Sequence, residues 1–569
     1  MIQYTSNHKS FYLNFLKCRI EFAERNKVHR FINIQKIKIL TTVFVLIISV
    51  FAMSGCNDED KDGSDHSFTY TIYKNPQNLD PQLACDKSSL MIIENMFLGL
   101  TTFNIDGKLD YGVAKNCEIT DDGKKYHFYL RDDCYWYSAD GTEDVVTAHD
   151  FVYAFKRIYN PVTMSPYTEK FSFIKNAESI MSGETEYTQL GVYAINSTEL
   201  VFELDRPNSE FMYLLTTAPA MPCNKQFFEG TNARYGLDDE SVISNGAFYM
   251  SQWSYDPYGN DNLIYMKRNY NNSSYDKVYP YMLKFIIEKT NDAAAENFDS
   301  GYTDCFVSDS EYKKSLLGTS ETNKYQSASI GIIFNNKYKI DNDIKRALSV
   351  SIDREKYKNI ITSNFSMAYG IIPGSIYIRD TNYRDSIDDS KMPFYMDKYS
   401  LTVSQKEDFY DAFSDDAKIM IRNKSDNGFM SQIINDWQDS LDIYIGIDYV
   451  DDSEYYQRLQ DGDYAFALTE IAIDDNSIYY FLKNVMDSIN TTGLNYKKIN
   501  GILESSLLSS SDSEKIKAYS EIENEILMSG DYIPVFYKNK FVVYKKGITD
   551  FIFNPFSEQV NFRYAKYFD

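Results

Sequence analysis

The sequence predicts an α/β fold. Runs that alternate apolar with polar residues interleave along the whole chain with runs spaced for one helical face. No repeat of about 20 to 50 residues is visible, which sets aside solenoids and propellers. Of 569 residues, 43% are hydrophobic and 16% aromatic, with only 25 Gly and 13 Pro, so the chain has the material for large cores and is not of low complexity. The length suggests about two to four domains.

The first 55 residues stand apart from the rest. They carry Lys9, Lys17, Arg19, Arg25, Lys27, Arg30, Lys36 and Lys38 against Glu21 and Glu24, followed by an uncharged run over 39–53. Ser54-Gly55-Cys56 comes next, and the chain then turns acidic at Asp58-Glu59-Asp60. The apolar run is shorter than the roughly 20 residues that span a bilayer, and small residues before a Cys suit a lipoprotein signal peptidase. Cys56 is thus the expected lipidated first residue of a protein on the extracellular face of a bacterial cell membrane or in the periplasm. An uncleaved single-span anchor with its basic end inside is the alternative.

Beyond the leader, 67–73 alternates as a strand and ends at the breaker Asn75-Pro76. A helix is expected over 88–98. Tyr126, Phe128 and Leu130 alternate with His127, Tyr129 and Arg131 as a strand with one buried face, which makes His127 a strand side chain rather than a ligand. Thr147 and Asp150 form the two ends of a capping box, followed by Phe151, Ala154, Phe155 and Ile158 at helical spacing and a stop at Asn160-Pro161. Residues 190–204 read as two strands around a polar turn at Asn196-Ser197-Thr198, and 247–270 as strands broken at Asp256-Pro257. Helices return at 343–352 and 514–528, the latter with Ile516, Tyr519, Ile522 and Ile526 on one face. Two strands, 533–537 and 541–544, are expected near the end.

Charge and motif content narrow the chemistry. With 58 Lys+Arg against 82 Asp+Glu the formal charge is -24, which opposes any grip on nucleic-acid phosphate. The glycines Gly370 and Gly374 lack the spacing and the lysine of a phosphate-binding loop, and neither GxSxG nor HExxH occurs. After the leader the cysteines are Cys56, Cys85, Cys117, Cys134, Cys223 and Cys305, with no CxxC, and the histidines are His66, His127 and His149. A zinc site has no support, no cofactor is implied, and a single Cys117–Cys134 disulfide stays open. Acidic pairs such as Asp121-Asp122, Asp132-Asp133 and Asp451-Asp452 leave an acidic-pair glycoside hydrolase as a rival reading.

Several blocks, in order, resemble the extracellular solute-binding proteins of the oligopeptide-binding class, family 5, which serve ATP-driven importers. They are Asn78-Leu79-Asp80-Pro81, Phe97-Leu98-Gly99-Leu100, Phe128-Tyr129-Leu130-Arg131 with Trp136 and Asp140-Gly141, and the run from Val146 to Arg157 with Asn160-Pro161. Leu190-Gly191-Val192, Ser244-Asn245-Gly246-Ala247-Phe248, Lys345-Arg346-Ala347-Leu348 with Ile352-Asp353-Arg354, and Ile533-Pro534-Val535-Phe536-Tyr537 continue the series. The resemblance implies a two-lobed periplasmic-binding-protein-like (class II) fold whose lobes are joined by crossing strands, with an extra subdomain on the first lobe. By similarity, the leader is 1–55, the first lobe takes 57–85, 200–287 and 541–569, the extra subdomain 86–199, and the second lobe 288–540.

The same resemblance implies a non-catalytic, monomeric, membrane-tethered receptor that closes over a peptide or similar amine-bearing solute and presents it to permease and ATPase subunits. Asp461-Gly462-Asp463-Tyr464 is similar to the strand that precedes the family's ammonium anchor, and counting onward places Asp474 there. Ile471, Asp475 and Leu468 depart from the usual pattern, and Glu470 and Asp475 add negative potential that favours cationic ligands. Asp474, Ala472, Glu470, Asn245, Gly246, Tyr73 and Asn75 make up the expected ligand-contacting set, with Gly246 permitting a tight turn or close backbone approach. A surface lipoprotein that keeps the fold as a sensor or adhesin is the other alternative.

Overall fold

The computed structural model describes residues 66–141, 143–258, 262–272, 277–312, 320–358, 361–379, 381–388, 400–413, 417–423, 425–426, 428–473, 477–489, 495–554 and 558–567. The leader, Cys56, Asp474 and Asp475 lie outside them.

Two long antiparallel strands organise the molecule, Ser320–Phe334 and Tyr532–Lys545. At one end Tyr532–Lys545 pairs with Cys305–Ser308, which in turn pairs with Ser67–Ile72. From there the sheet continues through Met282–Ile287, Leu263–Arg268 and Phe248–Ser254. At the other end Ser320–Phe334 pairs with Phe466–Ala472, and the sheet runs on through Lys418–Arg422 to Gly446–Val450. Among the described residues this makes one eleven-stranded mixed sheet, with Phe365–Met367 also paired to Tyr532–Lys545. The two lobes are its two ends, each wrapped in its own helices.

The register between the long strands shifts between Gln326 and Ala328 and again between Ile330 and Gly331. Sequence reading separates 533–537 from 541–544, but they form one strand of 14 residues. Pro534, inside the first of these, donates no ladder bond. It is accommodated because it stands opposite Gly331 at the second shift, and a strand irregularity is where a sheet tolerates proline.

Packing follows the alternation of side chains across the sheet. In the second lobe Ile330, Ile332, Ile419, Ile421, Phe466 and Leu468 fall in one core, while Ile333, Met420, Ala467 and Ile471 fall in another on the opposite face. The helix Asp512–Ser529 brings Tyr519, Ile522 and Ile526 into the latter core.

The first lobe and the extra subdomain share a single core, in which Phe68 and Phe285 are contiguous with Phe128, Phe155 and Phe202. In the subdomain, Lys125–Leu130 lies in a four-stranded antiparallel sheet and buries alternate residues, as its pattern predicts. Helix Ala148–Tyr159 starts at the expected capping box: Asp150 Oδ2 accepts from the Thr147 backbone N–H at 2.7 Å, and also from Trp136 Nε1 at 3.3 Å. The helix is held to the opening turn of the first lobe by Arg157, whose guanidinium is paired with Asp80; both side chains are almost wholly buried. Cys117 and Cys134 are not joined to each other, so the disulfide left open by the sequence is not formed.

Candidate functional site: a cleft between the lobes

A cavity of about 610 Å³ opens between helix Lys87–Met96, at the start of the extra subdomain carried by the first lobe, and the second-lobe helix Ile478–Ser488. Spacing explains which side chains each presents. In Ile478–Ser488, residues Ile478, Phe481, Leu482 and Val485 enter the second-lobe core, and Tyr480, Lys483, Asn484 and Asp487 line the cavity from the other face. Lys87, Leu90 and Glu94 do the same from Lys87–Met96. The wall on that side is completed by Thr101, Thr102 and Phe103 of the extra subdomain and by Gln559, Asn561 and Arg563 near the C-terminus.

The wall carries both signs of charge. Lys87 pairs with Glu558 at 2.5 Å, Glu558 with Lys540 at 2.5 Å, and Lys540 with Asp309 at 3.2 Å, a chain of charges that ties the helix to the long strand. Glu94 Oε1 accepts from Asn561 Nδ2 at 3.0 Å, and burial raises the Glu94 carboxyl above the usual range despite that bond and the nearby Arg563. Beside the cavity the lobes touch. Tyr480 donates its hydroxyl to the Lys170 carbonyl at 3.0 Å, Ser477 Oγ donates to Glu210 Oε2 at 2.5 Å, and Ser209 N donates to the Leu507 carbonyl at 2.8 Å.

Of the seven residues expected to contact ligand, the six that are described have these positions. Asn245 is 2% exposed and has both ends of its amide on one backbone unit, accepting from Leu98 N at 3.0 Å and donating to Leu98 O at 2.8 Å. That grip also explains why the preceding helix stops at Met96, two residues before its expected end. Gly246 lies so close to the backbone that a Cβ on it would fall 2.6 Å from Met96 O. Its neighbour Ala247 lines the cavity. Tyr73 donates to Val307 O at 2.5 Å, and Asn75 accepts from Trp253 Nε1 at 2.8 Å. Glu470 is 2.9 Å from Lys538 and 3.5 Å from Arg422, and exposed Ala472 pairs with Ala328 at the end of its strand. None of these six is among the residues lining the 610 Å³ cavity.

The cavity-lining groups that sequence reading passes over are Glu94, Arg563 and the stripe of Tyr480, Lys483, Asn484 and Asp487. The stripe has a visible signal, polar residues at i, i+3, i+4, i+7. Arg563 has none. Among the described residues no group of three or more metal-ligating side chains occurs, and no helix is long and apolar enough to cross a membrane.

The pattern of the family described as "Bacterial extracellular solute-binding proteins, family 5 Middle" matches residues 108–493. The chain belongs to the bacterial extracellular solute-binding proteins, family 5. It is 26% identical over 551 residues to the oligopeptide-binding protein OppA of Bacillus subtilis, covering 92% of this chain and 98% of that one. In fold, it is similar to Listeria monocytogenes OppA bound to peptide, with a TM-score of 0.66 and 19% identity over 89% of this chain and 100% of that one. It is also similar to the Escherichia coli murein tripeptide binding protein MppA, with a TM-score of 0.65 and 20% identity over 89% and 99%. The family 5 assignment makes this a solute-binding rather than a catalytic class, and the inter-lobe cleft is where such a two-lobed protein encloses its ligand.

Proposed function

We propose that this chain is the membrane-tethered extracellular substrate-binding subunit of an ABC importer, capturing peptides or a similar amine-bearing solute between its lobes without altering them. The observation that carries the reading is the 610 Å³ cleft, walled by one helix from the extra subdomain of the first lobe and one from the second lobe, and backed by two strands long enough to serve both lobes. Peptide as the ligand is supported by the relatives, the B. subtilis protein being named for oligopeptides and the L. monocytogenes one being bound to peptide. An extended peptide would lie like an added strand, its backbone bonded to protein backbone.

In this reading Cys56 carries the lipid, the protein acts as a monomer, and its partners are permease and ATPase subunits. The first lobe is 57–85, 200–287 and 541–569, the extra subdomain 86–199 and the second lobe 288–540. Asp474 is the ammonium anchor; of the residues expected with it, Asn245 and Gly246 act from behind the wall by fixing Leu98 and Ala247, and Ala472, Glu470, Tyr73 and Asn75 lie outside the lining of the 610 Å³ cavity.

Three experiments test it. Mass spectrometry of the natively purified protein is expected to find a peptide or amine-bearing solute; a bound sugar or metal chelate in its place would sink the peptide assignment. Binding of ligand to the folded state alone raises the melting temperature, and Asp474→Ala is expected to erase the rise that a peptide pool gives the unaltered protein. An undiminished rise in that variant would remove Asp474 from the anchor role. Cys56→Ser is expected to move the protein from the membrane fraction to the soluble one.

A further inference from the structure

Arg563 is 7% exposed and lines the first-lobe wall of the cleft. Its guanidinium donates from Nη2 to the Phe103 carbonyl at 3.0 Å and to Thr102 Oγ1 at 3.4 Å. Nε is buried and has no acceptor, and Nη1 makes no hydrogen bond among the described residues. The ring of Tyr564 lies 4.5 Å from the guanidinium carbon. Most notably, Arg563 forms no ion pair among the described residues, in a chain with 82 acidic side chains to draw on.

Several other nearly buried basic groups have a carboxylate counter-ion. Arg157 has Asp80, Lys345 has Asp531, and Arg384 has Glu523, while Arg354 donates to the Ala368, Ser349 and Pro534 carbonyls. A guanidinium withdrawn from water without such a partner is unfavourable, and its fork is built for two parallel bonds to a carboxylate. The nearest acidic side chain on the wall, Glu94, spends Oε1 on Asn561 and stands outside ion-pairing distance of Arg563. Burial holds the Arg563 guanidinium below its ordinary value, with Tyr564, Glu94 and Asp110 opposing the effect.

We propose that Arg563, with Thr102 and Asn561 beside it, is a specificity-determining subsite for a carboxylate carried by the ligand. This rests on the reading of the cleft as the ligand-enclosing site, and it adds a chemical demand to that reading: the solute bears a negative group as well as its amine. When the lobes close, the carboxylate supplies Arg563 with the counter-ion that no described residue provides. Its source is either the C-terminus of a peptide or an acidic side chain.

The test uses the purified full-length protein and measures affinity by calorimetry for three matched sets of probes. One is a tripeptide pool with free C-termini against the same pool amidated. The second is a set of amidated tripeptides holding Glu against Gln. The third is a panel of simple mono- and dicarboxylic acids against their amides. The unaltered protein is expected to favour the acid of at least one set by tenfold or more, the first set pointing to the C-terminus and the second to a side chain. Arg563→Gln is expected to abolish the preference, and Arg563→Lys, which keeps the charge but loses the fork, to retain part of it.

The preference is read first on the unaltered protein, so a variant that fails to fold does not remove the test. Equal affinity for acid and amide in every set overturns the subsite, as does a preference that survives in a folded Arg563→Gln variant. Arg563-dependent binding of the simple acids without binding of any peptide supports the subsite while overturning the peptide assignment. Peptide binding that ignores the acid does the reverse.

Discussion

Ser477 and Glu210 meet across the junction of the lobes, the serine hydroxyl donating to the carboxylate at 2.5 Å. Each has a second task. Ser477 caps the helix whose polar stripe lines the cleft, and Glu210 Oε1 stands 3.7 Å from Lys515, a lysine whose pKa burial lowers. Residues that position the cleft wall are therefore the same residues that join the lobes.

Glu210→Ala removes the acceptor of that contact and leaves Lys515 buried without its counter-charge. Loss of about 1–3 kcal/mol of coupling between closure and binding is a roughly 5- to 150-fold weaker affinity. Titration of the variant with any bound solute is expected to show this loss. Unchanged affinity would mean the contact does not contribute to closure.

Asp80 and Arg157 make the most deeply buried ion pair between the opening turn and the extra subdomain, at 2% and 6% side-chain exposure. Breaking one side of such a pair costs about 3–5 kcal/mol because the remaining charge stays buried. Asp80→Ala is expected to lose that much stability in urea unfolding. The double change Asp80→Ala with Arg157→Met is expected to lose less than the sum of the two single changes, and strict additivity would show the pair to be uncoupled.

Glu558 predicts an acid limb in stability. Burial alone would raise its carboxyl, but Lys540 and Lys87 outweigh burial and hold it below the ordinary glutamate value. A folded-state pKa below the unfolded one means that the stabilisation is fully present above the unfolded value and is lost as pH falls through the folded value. Melting temperature is expected to drop over that acid range, and Glu558→Gln to flatten the drop. An identical pH profile in the variant would count against the network.

Gly246→Ala places a methyl group 2.6 Å from Met96 O and 2.8 Å from Phe97 N, both backbone atoms that cannot swing aside. Overpacking of this kind costs about 1–3 kcal/mol. A lower melting temperature is expected, along with weaker solute binding, because the displaced backbone leads directly into Leu98 and Gly99 of the cleft wall.

Much of the local structure was legible. The alternation of Tyr126, Phe128 and Leu130, the box of Thr147 and Asp150, and the face of Tyr519, Ile522 and Ile526 are all set by neighbours within one or two turns or strand steps, and all appear as read. The strand over 533–537 was read despite Pro534, but its continuation through 538–540 was not, because those residues are held by pairing with Tyr325, Gln326 and Ala328, some two hundred residues away. The cleft was legible only in part. The stripe of Tyr480, Lys483, Asn484 and Asp487 advertises a polar helical face, but nothing local says that this face meets a cavity rather than bulk water.

The matched blocks, in their order, already point from the sequence by itself to an α/β solute-binding protein of family 5, and the charge balance opposes nucleic-acid binding. Tertiary structure alone decided which polar groups are satisfied internally and which are left over beside the cavity. Asn245 is consumed by Leu98, Glu470 by Lys538 and Glu558 by two lysines, whereas Arg563 has backbone and hydroxyl acceptors but no counter-ion among the described residues. The physical reason is that hydrogen bonding and ion pairing are settled between side chains far apart in the chain, so a residue's type announces what it can bind but only the packing shows whether it is already bound.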